Sequence, residues 1–314
     1  MLEEIQVEGQ KPVHIVMASY NGEAYLEEQL ESLLHQSYAD FTLEICDDGS
    51  TDGTLDILER YAKEDERISI HRNEKNMGYV KNFMQGIKRS QASYIMLCDQ
   101  DDIWNPNKIE ITLKAMKKAE NETPNVPLLV FTDAMNYDSD SGEETGRFHK
   151  NSHLDIKKVD TAHIFMENKC IGCTVMINQA VLSYLSELPE QIRVHDWWLA
   201  LICSHFGRIV YVDEPTLKYR QHGGNMIGGS SFSSYVKERL AGIARQREAL
   251  RQTFAQGAAF YGQYGERMGE SERRIAAAFA GMEQAGWFLR RKNMFCYGFT
   301  KSGWIRNVGL FFLI

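Results

Sequence analysis

From Val13 onward the chain repeats one pattern, a short apolar run followed by a longer segment whose apolar residues recur at helical spacing. VHIVMAS (13–19) reads as a first strand. Across 23–36, Tyr25, Leu26, Leu30, Leu33 and Leu34 share one face, which predicts an amphipathic helix packed on its neighbour. FTLEIC (41–46) is a second strand, 52–63 a helix with Leu55, Leu58 and Tyr61 inward, ISIHR (68–72) a strand, 79–89 a helix and YIMLC (94–98) a fourth strand. Strands that alternate with helices predict a parallel sheet with crossover helices, an α/β Rossmann-like half whose ligands sit at the carboxyl ends of the strands. A helix over 105–119, the strand LLVFTD (128–133), a hydrophilic stretch at 138–145, strands at 174–178 and 208–212 and a helix from Trp197 to Ser204 complete a second half. Beyond Ser233 two helical patterns run to about Leu289, one on Val236, Leu240, Ile243 and Leu250, the other on Ile275, Phe279, Met282 and Gly286. The expected division is a nucleotide-binding half (about 12–120), an acceptor half (about 121–231) and a helical C-terminal extension (232–314).

Composition narrows the class. With 314 residues, 43% of them apolar, the chain can bury a large core. It has no uninterrupted apolar run long enough to span a bilayer, and its polar start, MLEEIQVEGQ, lacks a secretory pattern, so a cytoplasmic location is expected. The net charge of −8 argues against a nucleic-acid partner, but it hides a division. Residues 237–314 carry 13 Lys and Arg against six Asp and Glu, while residues 1–236 carry 22 against 37. The six cysteines lie in apolar runs. Only Cys170 and Cys173 are closely spaced, and no partner set for zinc is evident, so they read as small buried hydrophobes.

Chemistry gathers at the strand ends. The loop after the second strand, Asp47-Asp48-Gly49-Ser50-Thr51-Asp52, sets two carboxylates side by side, and Asp48 is a natural acceptor for the imide N–H of a nucleobase. The loop after the fourth strand, Asp99-Gln100-Asp101-Asp102, has three acids in four positions. Such a cluster suits a hard cation, Mg²⁺ or Mn²⁺, that links carboxylates to substrate phosphates. His195-Asp196-Trp197-Trp198 pairs a potential base with two rings able to exclude water and stack on a sugar. Arg220-Gln221-His222 leads into the glycine-rich GGNMIGGSS, a loop able to fold over a diphosphate, with Arg220 as its phosphate contact and His222 as a further metal ligand.

SYNGEAYLEEQLESLLHQ, CDDGSTDGT, NEKNMGYVKNF and CDQDDIWNPNKI together resemble the family 2 glycosyltransferases of the glycosyltransferase-A fold over roughly 12–225. QDDIW, GCTVMIN, HDWW and YRQHGGN look most like the bacterial rhamnosyltransferases of cell-wall and O-antigen polysaccharide synthesis. The resemblance implies that Ser19, Tyr20, Asn21 and Glu23 surround the base and ribose, and that Asp48 accepts from N3–H of uracil or thymine. It places Asn76 and Lys81 near the nucleotide sugar, gives the metal to Asp101 and sets Asp99 in support. In the acceptor half it makes Asp196 the catalytic base and Trp197 and Trp198 acceptor contacts, with His195 where many relatives carry Glu. It also implies an inverting displacement, a nucleotide-sugar donor (dTDP-rhamnose, or a UDP-sugar carrying galactose, glucose or N-acetylglucosamine) and a lipid-linked saccharide acceptor. Two other classes compete. An NAD-dependent oxidoreductase would need G-x-G-x-x-G after the first strand, where this chain reads ASYNGEAY; a non-catalytic carbohydrate-binding module would need no acidic loop.

The segment 286–314, GWFLRRKNMFCYGFTKSGWIRNVGLFFLI, interleaves aromatic and aliphatic residues with cations. Two readings stay open: a peripheral contact with a membrane interface on the cytoplasmic side, or packing against the preceding helices or a second subunit of a homo-oligomer.

Overall fold

The computed structural model describes residues 11–222 and 242–314. Its strands are β1 (Val13–Ser19), β2 (Phe41–Asp47), β3 (Ile68–Arg72), β4 (Tyr94–Asp99), β5 (Ile103–Trp104), β6 (Leu128–Asp138), β7 (Glu144–Arg147), β8 (Val175–Asn178) and β9 (Arg208–Gln221). The helices are α1 (Leu26–Leu34), α2 (Thr54–Glu64), α3 (Tyr79–Arg89), α4 (Lys108–Glu122), α5 (Phe148–Asn151), α6 (Thr161–Met166), α7 (His195–Phe206), α8 (Ile243–Tyr264), α9 (Glu270–Ala280), α10 (Trp287–Tyr297) and α11 (Trp304–Leu313).

The continuous apolar runs of β1, β2 and β4 follow from burial on both faces of one sheet. Alternate residues feed opposite layers: Val16, Ile95 and Leu97 face one core, and Ile15, Met17 and Met96 face the other. The sheet runs β3-β2-β1-β4-β8-β6-β9-β5, with β7 on β6. Strands β1 to β4 are parallel, β8 is inserted antiparallel between β4 and β6, and β9 returns parallel to β6. The sheet is therefore mixed, though mostly parallel. The order reverses at β1, which lies between β2 and β4, and this is where an open α/β sheet offers a crevice. The register pairs Ser19 with Asp47 and Ala18 with Asp99, so three loops rich in polar residues end on the same edge.

Two elements of the second half deliver residues to that edge. Because β8 runs against β4, its start, with the turn at Gly172–Thr174, lies where β4 ends. Strand β9 is longer than the expected 208–212. It pairs with β5 at Lys218–Ile103 and carries Arg220 and His222 to the acidic loop. The hydrophilic stretch at 138–145 is the turn between β6 and β7, anchored by Asp138, whose carboxylate accepts from the Ser141 amide at 2.8 Å.

The C-terminal helices share a core with the rest of the chain. Leu250, Phe254, Phe260 and Tyr264 of α8 and Phe279 of α9 pack in one layer with Phe165 and Trp198. Val236 and Leu240, the boundary at 231 and the GGNMIGGSS loop lie outside the described residues. The tail segment 286–314 forms the helices α10 and α11.

Candidate active site

The loops after β1 and β2 are laced together by their own side chains. Ser50 Oγ accepts from the Asn21 amide at 2.9 Å, Asn21 Oδ1 accepts from the Thr51 amide at 2.8 Å, and Glu23 accepts from the Gly53 amide. Asn21 holds the left-handed conformation, φ 48°, that an Asx side chain tolerates. Gln100 then ties the acidic loop to β1: its Oε1 accepts from Ser19 Oγ and the Tyr20 amide, and its Nε2 donates to the Tyr20 carbonyl at 3.0 Å. Tyr20 remains 46% exposed beside these loops.

Asp48, expected to accept from a base, has a structural part as well. Its carboxylate is buried and both oxygens are engaged: Oδ1 accepts from Asn73 Nδ2 and the Met77 amide, and Oδ2 accepts from the Gly78 amide, all within 3.0 Å. It holds the turn before α3, where Gly78 has φ 86° and so demands glycine, and Oδ2 accepts one of these three bonds. Asn76 lies on the same turn, exposed, with Oδ1 accepting from Gly78 N. Lys81 follows on α3, and with Gly78 and Tyr79 it borders one surface cavity, of about 680 Å³, lined also by Met84, Lys88 and Leu188; it does not join the acidic loop.

In that loop the acids divide by depth. Asp101 is the outer one; its Oδ2 lies 2.8 Å from His222 Nε2, and the two side chains are about one-fifth exposed. Asp99 and Asp102 lie behind, with ligand atoms within 4.8 Å of each other and of the Cys173 thiol. Burial first, then the charges of Asp101 and Asp196, push Asp99 up to about 7, and burial and its acidic neighbours push Asp102 up as well. Asp102 Oδ1 accepts from the Arg220 amide, while Oδ2 is buried without a partner. Three mutually repelling carboxylates, one orphaned oxygen and an imidazole at the opening fit a divalent cation of the Mg²⁺ or Mn²⁺ type.

Arg220, expected to meet phosphate, is almost fully buried and its guanidinium is already occupied. It pairs with Glu28 of α1, donates to the Asp101 carbonyl at 2.7 Å and lies between the rings of Tyr25 and Tyr137. These contacts tie β9 to the Asp101 loop and to α1. His222 stacks on the other side of this group, 4.6 Å from the Tyr25 ring.

Across the crevice, Asp196 stands in the first turn of α7, buried, and accepts from the Trp197 amide at 2.6 Å and from Asn168 Nδ2 at 2.9 Å. Desolvation outweighs these hydrogen bonds and lifts its carboxyl to about 7. Gly172 makes the close approach possible: a Cβ there would lie 2.9 Å from His195 Nε2 and 3.4 Å from Asp196 Oδ2. Because Cys173 follows Gly172, the same turn joins the Asp99–Asp102 cluster to Asp196. His195 stacks on Phe83 at 4.0 Å, and burial drives its imidazole down to about 3, so it is neutral.

The two tryptophans are not acceptor contacts. Trp198 is wholly buried against Phe260 and Tyr264, and Trp197 is buried with Nε1 donating to the Ile164 carbonyl. They anchor α7 to the helices around it. The structure thus brings together Ser19, Tyr20, Asp99, Asp101, His222 and Asp196. Gln100, Asn168, Gly172 and the pair Asp102–Cys173 join them without having been singled out by sequence reasoning. Gln100 and Asp102 stood inside a conspicuous motif, whereas Asn168 gave no local signal at all.

The sheet order and the acid-lined crevice define the glycosyltransferase-A class. The fold matches that of a mannosyltransferase from Pyrobaculum calidifontis solved with GDP-mannose and Mn²⁺, with a TM-score of 0.55 at 16% identity over 95% of this chain and 78% of that one. The chain belongs to glycosyl transferase family 2, whose family model matches residues 14–164. It is 31% identical over 244 residues to the dTDP-rhamnosyl transferase RfbG of Shigella flexneri, covering 74% of this chain and 80% of that one. It is also 39% identical over 104 residues, 33% of this chain and 41% of the other, to the teichuronic acid biosynthesis glycosyltransferase TuaG assigned in Bacillus subtilis.

Proposed function

We propose that this protein transfers L-rhamnose from dTDP-L-rhamnose to a hydroxyl of a lipid-linked saccharide during bacterial surface polysaccharide synthesis, with inversion at the anomeric carbon. One observation supports the catalytic part of this reading: Asp196 is buried and fixed by Asn168 and the Trp197 amide on the wall facing the acidic loop, where desolvation pushes its carboxyl up to about 7. Near neutral pH such a group accepts a proton from an attacking hydroxyl, and its buried position excludes competing water. Neutral His195 beside it adds no charge that would pull that pKa down. Asp101 and His222 are the residues that would hold a divalent cation, which when bound supplies Lewis acidity toward the leaving diphosphate. Arg220 keeps the Asp101 loop in place through Glu28, Gln100 fixes that loop to β1, and exposed Tyr20 offers its ring to the base.

The rhamnosyl part rests on the resemblance to RfbG and on the QDDIW, HDWW and YRQHGGN motifs. A donor panel tests it. With Mn²⁺ present, nucleoside diphosphate release should be fastest from dTDP-L-rhamnose and slow from UDP-glucose, UDP-galactose and UDP-N-acetylglucosamine. Preferred turnover of any UDP-sugar would refute the donor assignment and leave the transferase chemistry standing.

A further inference from the structure

Helices α10 and α11 turn a set of large apolar side chains outward. Phe288 is 83% exposed, Trp304 75%, Phe312 73% and Phe295 68%. On α11 the exposed residues Trp304, Ile305, Val308 and Phe312 fall on one face with no charge among them, and Phe311 joins this helix to Trp287 and Phe295 of α10. Exposed aromatics in such numbers on one surface mark a contact site.

What covers this face is indicated by the charge beside it. Between α8, α10 and the end of α11 lies a cavity of about 610 Å³ lined by Arg247, Arg251, Arg290 and Arg291 with a single acid, Glu283, and with Trp287 and Phe312 at its margin. Arg291 is 6% exposed, and among the described residues it has no carboxylate partner. It donates to the Trp287 and Phe311 carbonyls and stacks 3.7 Å over the Trp287 ring, while its Nε is buried with no acceptor. A buried cation without a counter-ion implies an anion from outside. Apolar rings that insert, next to a cationic cavity roomy enough for a lipid headgroup, are the features of a surface that sits on anionic phospholipid. No helix among the described residues is long and apolar enough to cross a membrane, so this contact lies in the interface plane.

We propose that α10 and α11 dock this protein on an anionic lipid bilayer, with the four-arginine cavity taking a lipid phosphate. This inference is independent of the donor sugar. The test is sedimentation of the full chain with vesicles of phosphatidylcholine alone and of phosphatidylcholine with phosphatidylglycerol. Binding to the anionic vesicles should be at least about tenfold tighter (~1.4 kcal/mol). The surface variant Phe288→Ser/Trp304→Ser/Phe312→Ser should lose binding to both kinds of vesicle while keeping its melting temperature and its hydrolysis of donor in solution. Arg247→Glu/Arg251→Glu should lose only the anionic increment. Undiminished binding by the first variant, or equal binding of the parent to both vesicle types, would overturn the proposal. So would a dimer in light scattering that the first variant dissociates without any vesicle binding by the parent. Protection by inorganic phosphate without vesicle binding would likewise reduce the cavity to a soluble-anion site and overturn it.

Discussion

Replacing Asp196 by Asn should remove activity and stabilise the protein, and the second effect is the sharper test. Burial raises this carboxyl from 3.8 to about 7. For an acid raised on folding, the folded state binds more protons than the unfolded one between those values, so stability is highest below about pH 4 and falls as pH rises to 7. Above that window the ionised carboxylate costs the folded state ~4 kcal/mol relative to the unfolded chain. Asn removes the charge at nearly the same volume and still accepts from Trp197 N and Asn168. Its amide nitrogen cannot accept from the Gly172 amide, a loss of about 1 kcal/mol. The expected net gain is ~3 kcal/mol at pH 8, or about 5 °C in a chain of this size. At pH 5 the wild-type group is protonated when folded, and the gap should close to within about 1 °C. Thermal melts at both pH values read the difference, and turnover should fall by about 10² to 10⁴. A gap equal at pH 5 and pH 8 would show that Asp196 is not held at elevated pKa, and retained turnover would show that it is not the base.

Three further outcomes follow from the same geometry. In wild-type enzyme, kcat/KM should rise with pH through about 7 as Asp196 ionises; a profile flat from pH 5 to 8 would contradict the assignment. Gly172→Ala places a methyl group against His195 and Asp196 and should lower kcat by about tenfold or more with circular dichroism unchanged, a 1 Å displacement at a reacting group being enough. Arg220→Met should remove the donor to the Asp101 carbonyl and loosen the Asp101 loop, costing about 1 to 2 kcal/mol in denaturant melts and weakening Mn²⁺ binding in calorimetry; an effect on donor KM alone would restore Arg220 as a phosphate contact.

The first half was readable in the chain because β1, β2 and β4 are buried on both faces and therefore continuous in hydrophobicity, and because its site loops are contiguous in sequence. The acceptor half was less readable for a physical reason: its residues act through partners far along the chain. Trp197 and Trp198 have the composition of a sugar platform, and only the packing of Ile164 and Phe260 around them reveals a core. Arg220 reads as a phosphate ligand until Glu28, 192 positions away, is found beside it. Asp48 reads as an acceptor for a base, and its structural part shows only once three donors from the 73–78 turn are found on it. The extension was expected to be helical, but the bounds of α10 were hidden because it carries apolar residues around most of its circumference.

Glu167, the residue before Asn168, is held by Ser302 and by Arg306 at 2.9 Å, both from the C-terminal segment. One residue along the backbone, Asn168 holds Asp196. The terminal helix thus braces the backbone next to the Asn168–Asp196 hydrogen bond, and trimming it to obtain a shorter fragment would strip Arg306 from buried Glu167 and leave Lys169, 3.7 Å away, as its remaining cation. Shortened versions of this enzyme should be judged by their chemistry before their solubility, and its surface should be altered by point substitution rather than by removal.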